Sequence, residues 1–224
     1  LSIVLLPEIA ELSASKNINA IAQKIDNSMS FISITCGLFF ILYASLGAEI
    51  GYILYNDIGA GQFLAFASGL VMPLAMSQLT CTALNSLAKE LVSFINHMIG
   101  IAFMTLCLYF LPPYIGIYSL AVAMTGFFLI SFVLNSIYLA KVGAIKQSYY
   151  ITLVKVTVFA LSVGALTKLI QFLLTPYLST ILTTMICASI AISLYGLLII
   201  AFGLIDIKGF IAKKKTAKKH SNSI

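Results

Sequence analysis

The chain contains 224 residues, of which 61% are hydrophobic and 9% are charged, and its mean hydropathy is +1.06. Soluble domains are about 45–50% apolar and about 25% charged, so this composition excludes an ordinary soluble domain and a disordered chain. The formal net charge is +6. Nucleic-acid binding is not indicated, because the lysines cluster in the final segment, Lys208 to Lys219, and do not line one folded face. The composition predicts a polytopic helical membrane protein.

Long uncharged stretches predict an all-α bundle with six full membrane spans and a partial one before them. About 20 apolar helical residues are needed to cross a hydrocarbon core of about 30 Å. Pro112 and Pro113, followed by Gly116, predict a turn inside the longest uncharged stretch, and Pro73 predicts a kink in the second span. The predicted spans are 29–50, 62–86, 91–111, 116–140, 151–174 and 179–205.

The two ends of the chain differ from its centre. The sequence begins with LSIVLL, which has the character of the end of an apolar helix, so we expect the chain to be the C-terminal part of a longer protein. Four segments are predicted: the end of a truncated helix with a cytoplasmic amphipathic segment (1–28), a four-helix lobe (29–140), two additional spans (151–205) and a basic cytoplasmic tail (206–224).

An amphipathic helix is predicted to precede the first full span and to run directly into it. Apolar residues recur there at intervals of three and four, which places them on one helical face. Lys24 and Asp26 are expected off that face, and Ser15 or Asn17 is a candidate cap. The apolar face consists of Ile18, Ile21, Ile25, Met29 and Ile32.

The lysines predict the orientation in the membrane, because connections retained on the cytoplasmic side carry positive charge. They fall on alternate connections and in the tail, whereas the predicted loops 49–61, 112–115 and 175–178 hold none. The lysine-bearing connections and the C-terminus are therefore predicted to be cytoplasmic. We expect a multi-pass protein of the plasma membrane.

No arrangement of residues indicates catalysis, a metal site or a cofactor. The sequence has no pair of acids inside a span, no HExxH, no GxSxG and no phosphate-binding loop. The four cysteines lie within apolar runs and form no CxxC, so they are interpreted as small apolar residues. They are Cys36, Cys81, Cys107 and Cys187. We expect the protein not to be an enzyme.

Polar residues inside the spans are the candidate substrate-path residues, because polar groups in hydrocarbon usually face a protein interior or a wet cavity. Asn96 and His97 form one pair, and they either line such a path or make interhelical hydrogen bonds. Gln78, Thr82 and Asn85 share a face of the second span. They form either a stripe toward a central cavity or packing contacts between helices.

Two charged residues are further candidates. Lys168 is predicted to be the one lysine in the outer half of the membrane, where it either extends its ammonium to the headgroups or contacts the phosphate of a lipid-linked substrate. Glu49 and Asp57 are predicted to bracket the first outer loop. They are either solvated loop acids or, for Glu49, a residue that couples transport to protons or cations.

Four segments carry a resemblance to a known family. The chain resembles the C-terminal half of the multidrug/oligosaccharidyl-lipid/polysaccharide flippase superfamily, and within it the polysaccharide-biosynthesis transporters similar to stage V sporulation protein B. Ser86, Ala88 and Ser119 stand where relatives often have glycine. The segments are LLPEIAELSASKN (5–17), GYILYND (51–57), TALNSLAKE (82–90) and YFLPPYIGIYSLAVA (109–123).

This resemblance implies helices eight to fourteen of a fourteen-helix, two-lobed transporter that works by alternating access. It implies a lipid-linked oligosaccharide or peptidoglycan precursor as substrate, membrane lipids and the N-terminal half of the same chain as partners, and a groove for the lipid tail at the last two helices. Two alternatives stay open: a proton- or sodium-coupled multidrug exporter of the same superfamily, and a non-transport membrane scaffold of glycan assembly.

Overall fold

A computed structural model describes residues 7, 9–12, 18–145 and 148–203, except the side chains of 148 and 149. This part of the chain is helical and contains no strand. Its elements from residue 18 onward are α1 (Ile18–Tyr55), α2 (Ile58–Ala67), a 3₁₀ turn (Ser68–Leu70), α3 (Val71–Ser86), α4 (Glu90–Phe110), α5 (Pro112–Ile115), α6 (Tyr118–Lys141), α7 (Ser148–Leu174) and α8 (Thr180–Ala201).

The prediction of an all-α bundle with six membrane-length helices is confirmed. Six helical stretches in the described residues are long and apolar enough to cross a bilayer, and α2, the 3₁₀ turn and α3 together form one of them, Ile58–Ser86. The predicted partial span at 1–6, the candidate caps Ser15 and Asn17 and the basic tail lie outside the described residues.

The first predicted loop, 49–61, is wrong in its extent. Helix α1 continues to Tyr55 and α2 begins at Ile58, so only Asn56 and Asp57 connect the two helices. The segment from Glu49 to Tyr55 contains no proline or polar cluster that would end a helix. The chain reverses at Asn56, whose φ of 52° lies in the left-handed region that asparagine tolerates. The predicted turn at 112–115 likewise contains one helical turn, α5, because proline is favourable at a helix start.

Asp57 is a helix cap. Its two carboxylate oxygens accept hydrogen bonds from the backbone N–H groups of Gly59 at 2.9 Å and Ala60 at 3.2 Å. These two N–H groups are among the first of α2, which have no partner within the helix. The cap explains how α2 begins after a connection of only two residues.

Removal of this cap has a measurable consequence. We expect Asp57→Ala to lower the free energy of unfolding by about 1 kcal/mol and Asp57→Asn to retain most of it, because the amide oxygen can still accept a hydrogen bond. Detergent-induced unfolding followed by circular dichroism measures both. Equal losses for the two variants would contradict the capping role.

Helices α1 and α2 approach each other through residues without large side chains. Gly47 and Gly51 of α1 face Ala65 and Gly61 of α2, and a Cβ atom added at either glycine of α1 would meet the α2 backbone. The reverse also holds, because a Cβ atom at Gly61 would meet the backbone of Ala48. Such spacing of small residues by four lets two membrane helices pack backbone to backbone.

The second span is interrupted near Pro73. Proline has no N–H to donate to the carbonyl of Gly69, and its ring crowds that carbonyl. The break lies one turn before the proline, where Ser68 to Leu70 adopt a 3₁₀ turn between α2 and α3. The predicted kink therefore takes the form of a short change of helix type.

Helix α1 is the centre of the bundle. It packs on α2, α3, α7 and α8, whereas α6 packs on α3 and α4. Tyr195 of α8 donates a hydrogen bond of 2.9 Å to the carbonyl of Ile34 in α1. This approach requires Gly37, since a Cβ atom there would meet the Tyr195 hydroxyl.

The bundle has two ends that carry different residues. At the Asp57 end lie the α1–α2 turn, the start of α6 and the start of α8. The Tyr118 ring meets Phe66 of α2 edge to face, with centroids 5.0 Å apart, and Tyr52 and Thr180 line one surface depression. The Lys89 end holds the α3–α4 turn and the connection after α6.

The amphipathic start of α1 packs mainly as predicted. Ile21, Ile25 and Met29 are buried in an apolar core with Leu139 of α6, among others. Asp26, expected off the apolar face, is instead buried at 9% exposure. The start of α7 packs on that side of α1, close enough for Tyr150 and Asp26 to interact electrostatically.

Candidate functional site

A ladder of polar side chains joins three helices inside the bundle. The Nδ2 atom of Asn96 in α4 donates to Oδ1 of Asn135 in α6 at 2.8 Å. The Nδ2 atom of Asn135 lies 3.5 Å from the Thr80 hydroxyl in α3. Asn135 is fully buried. Asn96 therefore makes an interhelical hydrogen bond, which was one of its two sequence-based interpretations.

His97 does not share the partners of Asn96. Its Nδ1 atom lies 3.0 Å from the carbonyl of Ser93, one turn earlier in the same helix. Its ring meets Phe127 of α6 edge to face, with centroids 5.7 Å apart. The two neighbours thus act separately: Asn96 bonds to α6, and His97 packs against it.

Gln78, Thr82 and Asn85 follow one face of α3 as the sequence indicates, and they are not fully buried. Gln78 is exposed, and Thr82 and Asn85 are partly buried. The Thr82 hydroxyl donates to the Gln78 carbonyl at 2.9 Å, so it is satisfied within the helix. These three residues are called the α3 polar stripe below.

Glu49 and Lys168, which are distant in the sequence, come together between α1 and α7. The Lys168 ammonium donates to the carbonyl of Ser45 at 3.0 Å and lies 4.0 Å from Oε1 of Glu49. The Lys168 side chain is 56% exposed, whereas that of Glu49 is 23% exposed. Glu49 is thus not a solvated loop acid, because it lies within α1 and faces a neighbouring helix.

A pocket of about 610 Å³ opens beside this pair. It is lined by Glu49, Lys168 and Gln171, together with Leu169 and Phe172 among its apolar walls. Two oxygen atoms here, Glu49 Oε2 and Gln171 Oε1, are buried and have no hydrogen-bond partner in the described part of the chain. We call it the Glu49 pocket.

An apolar groove of about 230 Å³ lies where α1, α3, α6 and α7 meet. Pro73 and Gly69 at the broken second span form part of its wall, and Leu129 of α6 and Thr157 of α7 lie opposite. Thr157 donates to the carbonyl of Leu153 at 2.8 Å, so its hydroxyl is satisfied by its own helix. The groove therefore offers an almost wholly hydrocarbon surface.

Two residues that belong to these sites were not among the candidates predicted from the sequence. Asn135 lies in the uncharged fourth span, and the argument that selected Asn96 would also have selected it. Gln171 borders an uncharged stretch and was not considered as a polar residue within a span. Both are buried amides, with exposures of 0% and 3%.

The candidate residues thus lie at four separate places: the polar ladder of Asn96, Asn135 and Thr80, the α3 polar stripe, the Glu49 pocket and the apolar groove. Comparison of the chain with protein-family models, with curated proteins and with solved structures finds no match.

Proposed function

We propose that this chain is the C-terminal lobe of a plasma-membrane transporter that moves a lipid-linked oligosaccharide or peptidoglycan precursor by alternating access. The observation that carries the proposal is the apolar groove beside the break at Pro73. It combines a surface suited to a lipid chain with a point where a spanning helix is divided.

The shape and chemistry of the groove support a long hydrocarbon ligand. Its walls are methionine, leucine, phenylalanine and small residues, and Thr157 there is already hydrogen-bonded. Each buried methylene of a ligand contributes about 0.8 kcal/mol. An isoprenoid chain has many such carbons and no polar atom that these walls would leave unpaired.

The break in the second span supports a transport cycle. Because the 3₁₀ turn replaces part of the regular helix, α2 and α3 can change their relative angle with little loss of hydrogen bonding. Helix α2 is fixed to α1 by backbone packing, whereas α3 packs on both α1 and α6. A change at the break would therefore move α3 and α6 relative to α1 and alter the width of the groove.

The α3 polar stripe supports a complementary half that covers this face. An amide in hydrocarbon without hydrogen bonds costs several kcal/mol, so an exposed Gln78 favours contact with protein or with a water-filled path. In the proposed transporter the N-terminal half of the same chain supplies the second wall, and Gln78 and Asn85 contact the glycan headgroup.

A multidrug exporter of the same superfamily, coupled to protons or sodium, is the second candidate. Glu49 favours it, because one oxygen of this carboxylate within a span is buried and has no hydrogen-bond partner among the residues that the structure describes. A Glu49→Gln variant that abolishes export of a cationic dye, with unchanged transfer of prenyl-linked glycan, would favour the exporter.

Lipid binding in the groove is tested by a photoreactive polyprenyl diphosphate disaccharide with the purified chain in lipid nanodiscs. We expect cross-links at the groove and about tenfold weaker labelling in Leu129→Trp, the equivalent of losing roughly two methylene contacts. Leu120→Trp is the matched control, since Leu120 is an equally exposed leucine of α6 outside the groove.

Equal labelling of both variants would argue against the groove as the lipid site.

A fluorescent form of the same lipid, reconstituted with the chain and its complementary half, tests transport itself. Protein-dependent loss of leaflet asymmetry is expected, and its absence with intact lipid binding would favour the scaffold role instead.

A further inference from the structure

We propose that the Glu49 pocket binds the headgroup of a phospholipid that carries a primary amine, with its phosphate on Lys168 and its ammonium on Glu49 and Gln171. This site is separate from the apolar groove, and it does not depend on the proposed transport of a glycan.

The hydrogen-bond acceptors of the pocket favour a cationic ligand that donates hydrogen bonds. Gln171 is 3% exposed, and its Oε1 atom has no hydrogen-bond partner within the described residues. The Glu49 side chain is 23% exposed, but its Oε2 atom is buried and likewise has no partner among those residues. Buried polar atoms are nearly always hydrogen-bonded, so two such acceptors at one pocket indicate a ligand that donates. A carboxylate and an amide oxygen together suit an ammonium group with several N–H bonds.

The charge of Lys168 favours an anionic group next to the ammonium of the ligand. Its Nζ atom is held at 3.0 Å by the Ser45 carbonyl but lies 4.0 Å from Glu49, which is long for a charge-assisted hydrogen bond. With three donors and a side chain that is more than half exposed, the ammonium keeps donors for a phosphate. A single ligand that meets both requirements carries an ammonium and a phosphate a few bonds apart.

The depth of the pocket suits a lipid headgroup. Helix α7 has 27 residues and is about 40 Å long, which exceeds the hydrocarbon thickness of about 30 Å. A helix of this length that is centred on the hydrocarbon places its last turn in the headgroup layer. Lys168 and Gln171 lie within two turns of that end, and Glu49 lies within two turns of the end of α1. Leu169 and Phe172 continue the pocket with apolar surface on which acyl chains can lie.

The headgroup assignment is tested on the full chain purified in detergent, with lipids added in defined amounts and bound lipids counted by native mass spectrometry. We expect phosphatidylethanolamine to bind about tenfold more tightly than phosphatidylcholine, whose ammonium has no N–H, and than phosphatidylglycerol, which has no amine. Equal occupancy by the three lipids would overturn the proposal without any variant.

Variants assign the contacts. Glu49→Gln and Gln171→Leu are expected to remove the preference for phosphatidylethanolamine, and Lys168→Met to weaken all three lipids. Lys155→Met is the matched control, because Lys155 is an exposed lysine of the same helix near its other end. An unchanged preference in Glu49→Gln, with the helical circular dichroism of the parent chain, would overturn the assignment.

Two further ligands separate the possible sources. Soluble phosphoethanolamine should displace the lipid only at much higher concentration, and displacement at equal concentration would show that the free headgroup is the ligand. Sodium chloride alone should not stabilise the parent chain more than Glu49→Gln. A sodium-specific stabilisation without lipid preference would identify a cation site and overturn the proposal.

Discussion

Replacing Gly61 by valine is expected to force α2 away from α1 and to lower the free energy of unfolding by about 3 kcal/mol. A Cβ atom at Gly61 would meet the backbone of Ala48, and one at Gly51 would meet the backbone of Gly61. Side chains can change rotamer to admit a methyl group, but a helix backbone cannot yield without moving the helix. The loss is therefore expected at the upper end of the range for overpacking.

The measurement is unfolding of the purified chain in mixed micelles, followed by helical circular dichroism as the denaturing detergent increases. Gly61→Ala should lose less stability than Gly61→Val, in proportion to the added volume. Gly196→Ala is the control, because that glycine lies in α8 with no atom within 4 Å of an added Cβ. Its stability should be unchanged or slightly higher, since alanine favours a helix. A Gly61→Val variant as stable as the parent chain would show that α1 and α2 do not touch.

The second large effect is expected at Asn135, which is fully buried and joins α4 to α3 through α6. Asn135→Leu removes both interhelical hydrogen bonds and leaves the amide of Asn96 without its partner. We expect a loss of about 1–3 kcal/mol, because the partly buried Asn96 amide is left without its hydrogen-bond partner, which costs more than the hydrogen bond itself contributed.

A double-mutant cycle isolates the pair. Asn96→Leu alone leaves the Oδ1 atom of Asn135 without its hydrogen-bond donor. The double variant Asn96→Leu/Asn135→Leu contains neither amide, so no amide is left without a partner. The double variant should therefore lose less than the sum of the single losses, with a coupling energy of about 0.6–1.7 kcal/mol. Asn27→Leu, at an exposed position of α1, serves as the control. Strict additivity would show that Asn96 and Asn135 do not bond.

The two effects divide the bundle into parts that different forces stabilise. Close backbone packing holds α2 to α1, whereas a polar ladder holds α4 and α6 to α3. In hydrocarbon the hydrophobic effect does not draw helices together, so such packing and hydrogen bonds determine which helices become neighbours. The proposed transporter needs this difference, because one group of helices must move relative to the other.

The number and positions of the spanning helices were predictable from the sequence. The hydrocarbon thickness requires a minimum length of uncharged helix, and proline pairs interrupt such a length wherever they occur. The extent of α1 was not predictable in the same way. Residues 49–55 are followed by a reversal of only two residues, and nothing in their composition separates a helix end from a loop.

The candidate sites depended more on tertiary structure. Glu49, Lys168 and Asn96 were selected from the sequence because polar groups are costly in hydrocarbon, and that physical reason applies to each residue alone. Their partners were not selected, because Asn135 comes into hydrogen-bonding distance of Asn96 only when α6 lies beside α4, and Gln171 joins the Glu49 pocket only when α7 lies beside α1. Composition and hydropathy thus determined that the described part of the chain is a helical bundle with six helices long and apolar enough to cross a membrane. The packing of distant helices alone decided that Glu49 faces Lys168, that Asn96 bonds to Asn135 and that an apolar groove opens beside Pro73.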